Sequence, residues 1–327
     1  MNPNTYSLSI SEKEKKILYE LSLNARESFS NIAKDLKLSR QVVSYSVEAL
    51  EKKGVIESYY AILNINRLGF LYHRVFFKFR NVDHVKEQAI INFCSRNKKI
   101  GWVVQHHGDW DLGIAVWSKN AIEFEGVLDD ILEKYGNYID EKIISVSTTI
   151  HHLKHKFLLN KKSQKDLVLG GETHSVDIDQ TDYDILGILS KTARKTFIEI
   201  SEQLSLTPNV VKGRIEKLHK NRVILGYNLK LNHRLLGYTH IKVFLQLNRN
   251  KESIQKLIAY LKNLIETIYI TRAIGIADLE FELFVKSNEE FYDCMKKLKL
   301  ALPNTIRSHS WLIIHYEPYI NYLPIKK

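Results

Sequence analysis

Two short stretches of this chain carry side chains suited to reading the edges of nucleic-acid bases. Arg40, Gln41, Ser44 and Tyr45 share one helical face, opposite the apolar row Val43, Val47 and Leu50. Arginine and glutamine suit paired hydrogen bonds to guanine and adenine edges in a major groove. At the corresponding place 168 positions later, Asn209, Lys212 and Gly213 form the polar face, with Arg214 flanking it, opposite Val211, Ile215 and Leu218. Lys217, Lys220 and Arg222 follow and suit phosphates, which fix orientation on a duplex without reading its sequence. The expected partner is double-stranded DNA. Because the two faces differ in chemistry, one chain is expected to read two unlike half-sites, not a strict palindrome. The net charge of +11 agrees with an anionic partner.

Other chemistries find less support. His106-His107 and His151-His152-x-x-His155 invite a metal reading. On a strand, adjacent histidines point to opposite faces, and cysteines at zinc spacing are absent. No metal is expected, and these histidines read as surface or packing residues. Cys94 and Cys294 are not equivalent in the repeat and read as reduced, half-buried thiols. No nucleotide-binding glycine loop, nucleophile elbow or paired-carboxylate site stands out, so no cofactor and no catalytic residue is expected. The chain has no uninterrupted apolar run of about 18 residues and no signal-peptide pattern at its start, so a cytoplasmic protein without a membrane partner is expected.

The elements that must position these faces come in two copies. Ile17-Leu18 returns as Ile185-Leu186, Ala25-Arg26 as Ala193-Arg194, Val42-Val43 as Val210-Val211 and Val55-Ile56 as Val223-Ile224. A period this long is no solenoid repeat; each copy is large enough to fold as a unit. Residues 8–60 read as three helices and a strand, a helix-turn-helix with a support helix before it. Ser39 caps the third helix, and Gly54 ends it where positive φ is needed. Residues 178–228 repeat the pattern, with a capping box Thr196-x-x-Glu199 and Thr207-Pro208 at the third helix. Arg222 stands in place of Gly54, so that helix must end less comfortably or by another route.

Residues 70–151 and 238–318 alternate strand and helix periods in the order β-α-β-β-α-β, the ferredoxin-like arrangement. The fold class is therefore α+β, with two winged-helix or helix-turn-helix domains each followed by a ferredoxin-like domain. Residues 152–177 contain Gly170-Gly171 and a lysine run, lack a period, and read as a partly ordered linker able to reach roughly 80–90 Å if extended.

The whole pattern resembles the Lrp/AsnC family of transcription regulators. The stretch that carries it best runs from Asp179 and Asp182 through Ala193-Arg194 and Leu206-Thr207 to Arg214-Ile215, Leu218 and Val223-Ile224-x-Gly226-Tyr227. The first half keeps Asn24-Ala25-Arg26 and Gly54-Val55-Ile56, but lacks the two aspartates and has Ser46 where the family has arginine. The resemblance implies that the β-α-β-β-α-β units sense a small-molecule effector, often an amino acid, near turns matched here by Gly108-x-x-Asp111 and Gly275-x-x-Asp278. It also implies that two such units pack sheet against sheet. Here they pair either within one chain, as a pseudo-dimer, or between chains of a homo-oligomer, with Phe76, Trp102, Val104, Trp117, Phe244, Ile274, Phe281 and Phe284 as candidates to be covered. The scaffold is also similar to that of siroheme decarboxylases, which turn the sensing domain into a tetrapyrrole pocket. That alternative would give His106 and His107 a role. No Arg-rich cluster accompanies them around residues 104–117, so a regulator is expected and not an enzyme.

Overall fold

The structure, a computed structural model, describes residues 7–163, 165–248 and 251–324. The first half holds α1 (Glu12–Leu21), α2 (Phe29–Leu36), α3 (Arg40–Lys52) and β1 (Ile56–Leu63), then β2 (Leu71–Phe79), α4 (His84–Arg96), β3 (Ile100–Gly108), β4 (Leu112–Ser118), α5 (Ala121–Tyr135) and β5 (Ile139–Leu153). A short strand, β6 (Asp166–Gly170), follows. The second half repeats the order as α6 (Gln180–Leu189), α7 (Phe197–Leu204), α8 (Pro208–Lys220), β7 (Ile224–Leu231), β8 (Thr239–Leu247), α9 (Lys251–Asn263), β9 (Thr267–Gly275), β10 (Leu279–Val285), α10 (Asn288–Ala301) and β11 (Ile306–Ile320). The α+β class and both expected domain types are present.

Local sequence explains the helix starts. Ser39 and Thr207 each accept the N–H of the third residue of the helix they open, and Pro208 occupies a first-turn position whose N–H would have no helical partner. The second helix-turn-helix ends by the same left-handed step as the first. Gly54 has φ +72° and Arg222 φ +57°, so the arginine accepts a conformation disfavoured by roughly 1 kcal/mol.

The two ferredoxin-like sheets run β5-β2-β4-β3 and β11-β8-β10-β9. They meet at both edges. β3 pairs antiparallel with β11, and β5 pairs antiparallel with β9, so the eight strands close into a barrel with no free edge between them. The pseudo-dimer is thus within one chain, and the sheets join edge to edge as well as facing each other. Of the residues expected to need cover, Phe76, Val104 and Phe244 form the barrel's apolar filling with Leu312 and Ile314, and Trp102 packs against it. Phe281 instead faces its own helices, and Ile274 is 68% exposed. Strand alternation sends these two the other way.

The helix-turn-helix units are swapped across the halves. β1 pairs with β7 as a two-stranded antiparallel ribbon. The core of α6–α8 includes Leu63, Leu68, Phe70 and Trp117 from the first half. The core of α1–α3 includes Leu229, Leu231, Ile268 and Phe284 from the second. Each helical unit therefore rests on the opposite half's sheet.

The connection at residues 152–177 departs from expectation. It is built into the fold. β6 pairs with the end of β5, and His151 and Lys262 both hold Asp166, at 2.6 and 2.8 Å. The buried Lys156 donates to the carbonyls of Lys262 and Leu264. Lys156 and Asp166 find these partners only in the folded chain, while Lys161, Lys162 and Lys165 stay exposed.

Candidate nucleic-acid interface

Both third helices present their polar faces to solvent. On α3, Arg40 and Gln41 are exposed and Tyr45 is 75% exposed. Ser44 is half-buried and donates to Glu48 at 3.0 Å. On α8, Asn209, Lys212, Gly213, Lys217 and Lys220 are exposed, and Lys212 lies 3.9 Å from Glu216. The apolar rows opposite, Val43, Val47 and Leu50 in one copy and Val211, Ile215 and Leu218 in the other, are buried.

Arg214 is the exception among the expected DNA contacts. Its Nη1 bonds Asp179 at 2.7 Å and the fully buried Asp182 at 2.9 Å, tying α8 to the start of α6. The ion pair holds Nη1 of this expected flanking contact against α6 while the side chain stays partly exposed. In the first copy the three equivalent positions are Ser11, Glu14 and Ser46. The two aspartates and the arginine are therefore present together in one copy and absent together from the other.

The Ala-Arg pair that recurs in both halves locks the two helical units together. Arg26 donates to the carbonyls of Ala193 and Lys195, at 2.5 and 2.8 Å. Arg194 donates to the carbonyls of Ala25 and Glu27, at 2.5 and 3.3 Å. The Ala25 N–H reaches the Tyr227 carbonyl, and the Ala193 N–H reaches that of Tyr59. Each guanidinium also lies over the other unit's aromatic rings, Arg26 on Phe197 and Tyr227, Arg194 on Phe29 and Tyr59. The contact is isologous within one polypeptide. It fixes the separation of α3 and α8.

The four residues expected near an effector make structural contacts within the barrel. The Asp111 carboxylate accepts the Phe79 N–H at 2.7 Å, and the Asp278 carboxylate accepts the Leu247 N–H at 2.9 Å. Gly275 has φ +120°, and a Cβ there would stand 2.1 Å from the Ile144 carbonyl oxygen across the β5–β9 seam. Gly108 lies less tightly against β11, where a Cβ would meet the Trp311 carbonyl at 3.2 Å. These glycines permit strand closure between halves; the aspartates terminate the strands beside them.

Sequence reasoning missed the barrel interior. Arg74 on β2 and Lys242 on β8 occupy equivalent repeat positions, and both point inward. Arg74 grips Glu280 with both Nη atoms, at 2.5 and 2.6 Å. Lys242 reaches Glu280 at 2.8 Å and Glu282 at 2.7 Å, and His240 meets Glu282 at 2.9 Å. Burial pushes both carboxyls up, but the cations outweigh it and hold them below the usual range. Both carboxylates come from the second half, where the first has Gly113 and Ala115. The available signal was the alternation Leu279-Glu280-Phe281-Glu282-Leu283, which places two acids on the inner face of a strand.

The histidines divide as alternation requires. His106 is buried inside the barrel, and burial pushes it down to about 3, aided by Lys242. His107 is exposed and lies against His315, with ring centres 4.3 Å apart. His152 faces the barrel mouth, where burial holds it down to about 4. Among the described residues no group of three metal-ligating side chains gathers. Nor is any helix there long and apolar enough to cross a membrane.

Comparison with known proteins agrees with this geometry. The winged helix-turn-helix DNA-binding family matches residues 10–57 and again residues 178–224. An HTH-type transcriptional regulator of Pyrococcus furiosus is 47% identical over 60 residues, covering 18% of this chain and 39% of that protein. The match to the regulator LrpA of Pyrococcus horikoshii, 38% identical over 66 residues, covers 20% of this chain and 47% of that one. The chain thus spans less than half the length of these curated relatives. The regulatory protein AsnC of Haemophilus influenzae matches more fully, at 24% identity over 44% of this chain and 95% of its own. Among solved structures, the siroheme decarboxylase NirDL superimposes over 96% of this chain and 94% of its own, with a TM-score of 0.63 at 14% identity. At that identity the likeness is one of fold.

Proposed function

We propose that the chain is a member of the Lrp/AsnC family with both domains of the family duplicated in one polypeptide, and that it is a sequence-specific DNA-binding transcription regulator. One observation carries the reading. Two third helices with base-reading side chains stand exposed, on units fixed to each other by the reciprocal contacts of Arg26 and Arg194. In a helix-turn-helix the third helix of such a unit enters the major groove, and paired units bind half-sites whose separation mirrors the protein. A single chain here does what two subunits do in a symmetric dimer. Its half-sites differ, because Arg40, Gln41 and Tyr45 on one helix are answered by Pro208, Asn209 and Gly213 on the other.

Lys212, Lys217 and Lys220 supply phosphate contacts beside the second half-site. Binding releases counterions from neutralised phosphates, so affinity falls steeply with salt. Mobility shift of duplex DNA across a salt series tests the reading: binding at low ionic strength that weakens linearly on a logarithmic salt scale is expected. Absence of any shift at low salt sinks it.

A small-molecule effector such as an amino acid belongs to the proposal, as the family implies. Its proposed seat is the pair of turns holding Gly108, Asp111, Gly275 and Asp278, where each aspartate also accepts one backbone N–H. The rival reading, a tetrapyrrole enzyme, has a direct test. A Soret band that shifts on mixing with siroheme would favour it; an unchanged spectrum is expected.

A further inference from the structure

At the end of the barrel that faces the β1–β7 ribbon lies a cleft for which DNA binding provides no role. Its walls come from both halves of the barrel and from β1 itself, through Ile62 and Leu63. Six aromatic rings line it: Tyr60, Tyr72, Trp102, Trp117, Tyr269 and Tyr322. Tyr60 and Tyr322 stack with centres 4.2 Å apart, and Tyr72 meets Trp117 edge-on at 4.7 Å. The faces of such rings attract positive charge.

Charged side chains stand at two levels of the cleft. At its floor Arg74 and Lys242 balance Glu280 and Glu282 through the contacts described above. Nearer the mouth, Glu317 accepts the Trp102 indole N–H at 2.9 Å. Its cation is Lys230, 4.0 Å away, which is shared with Glu57 at 3.1 Å. Glu317 thus stands beside the aromatic rings with its one cation shared and at the limit of contact. The cleft measures about 890 Å³ counted out to its open mouth and encloses about 120 Å³. A dry cavity of about 150 Å³ holds a benzene. The enclosed part is slightly smaller than that, so a single ring fills it with its substituent directed to the open mouth.

We propose that this cleft binds a small organic cation, an ammonium or alkylated ammonium carried on an apolar body of about one ring. The charged head lies among the aromatic faces near Glu317, and the apolar body packs against Ile62 and Ile150. Because β1 forms one wall and pairs with β7, occupancy acts on the ribbon beneath both helix-turn-helix units. That coupling, unlike the binding itself, rests on the DNA reading above.

The test titrates the full chain with benzyltrimethylammonium, benzyl alcohol and benzoate, following tryptophan fluorescence from Trp102 and Trp117 and the melting temperature. The cation is expected to bind about tenfold tighter than the alcohol, with benzoate weakest. Ile62→Trp, which fills the cleft, is expected to abolish binding of all three. Glu317→Gln keeps an acceptor for the Trp102 indole and is expected to remove the cation's advantage while leaving the circular dichroism unchanged. The second variant decides the matter if the first does not fold. The proposal is overturned if no probe binds at millimolar concentration, if benzoate binds as well as the cation, or if Glu317→Gln leaves the order unchanged. Cation binding without any change in DNA affinity overturns the coupling; absence of DNA binding altogether overturns the regulator reading and leaves the cleft's affinities to be judged alone.

Discussion

The two helix-turn-helix units share a scaffold and differ on the surface that would meet DNA. Where the units touch each other, the copies agree residue for residue: Ala25-Arg26 and Ala193-Arg194 make mirror-image contacts, and Tyr59 and Tyr227 supply matching carbonyls. Where each unit is self-supporting, they diverge. The second is braced by Arg214 on Asp179 and Asp182; the first has Ser46, Ser11 and Glu14 there, with Glu14 capping α1 and 3.5 Å from Lys53. On the groove faces almost nothing is shared. A pseudo-two-fold contact needs both sides to stay matched, whereas each groove face answers only to its own half-site.

The largest effect should follow from breaking what the copies share. Arg26→Ala combined with Arg194→Ala removes four charge-assisted hydrogen bonds and leaves the partner carbonyls wanting. We expect a loss of about 3–6 kcal/mol in urea unfolding, and loss of DNA binding with it. Either single change should cost about half as much, and equally from either side; unequal costs would show that the contact is less symmetric than its geometry.

Acid should also act on the shared scaffold and not on one copy. His152 and His155 are buried and unprotonated, with burial holding each down to about 4 against an ordinary value near 6.5. The unfolded chain binds those protons first. The stability they contribute is complete above about pH 6.5 and is lost as pH falls through about 4, by up to ~3 kcal/mol for each. Glu280 and Glu282 are depressed as well, so their contribution disappears lower still, as pH drops below the ordinary carboxylate range. Urea unfolding measured from pH 7.5 to 4 should show steadily falling stability; a flat profile would contradict the burial of these groups.

Changes on the groove faces should separate the copies. Gln41→Ala is expected to weaken recognition of one half-site by about 1–3 kcal/mol, and Asn209→Ala the other, each relaxing base preference only at its own site. Lys217→Ala should instead weaken all sequences alike and lower the salt slope by about 1. If both face variants relax the same half-site, the assignment of helices to half-sites is wrong.

The smallest effect tests the internal brace. Arg214→Ser gives the second copy the residue found in the first and leaves Asp182 buried with its cation gone. About 1–2 kcal/mol of stability should be lost, measurable as a lower urea midpoint. Ser46→Arg should gain nothing, because Ser11 and Glu14 do not reproduce the two aspartates.

Much of this was legible in the residues. The helices of both helix-turn-helix units, their caps, and both β-α-β-β-α-β orders follow from local periods and capping side chains, which act within a few positions. Ser39 and Thr207 cap as expected, and Val43 and Val211 are buried as expected. What was illegible depends on contacts between distant segments. Nothing local to Gly275 says that its missing Cβ admits β5, or that Gly108 admits β11. Arg214 sits on the exposed-looking side of a helical pattern, and only its ion pair with Asp182 turns it inward. The barrel's ion network was half visible: equivalent cations at positions 74 and 242, and two acids alternating with apolar residues on β10. Their meeting required the closure that brings β2 and β10 face to face. Among the linker's lysines Lys161, Lys162 and Lys165 are exposed as their run suggests, whereas Lys156 is buried and caps the end of α9.

The central claim is that one chain holds two unlike base-reading helices at a fixed separation. Selection of bound sequences from a random duplex pool by the intact protein tests it most directly. The account predicts an enriched motif of two dissimilar half-sites at constant spacing, with spacing variants bound weakly. Enrichment of a perfect palindrome, of half-sites at many spacings, or of nothing above background would contradict it.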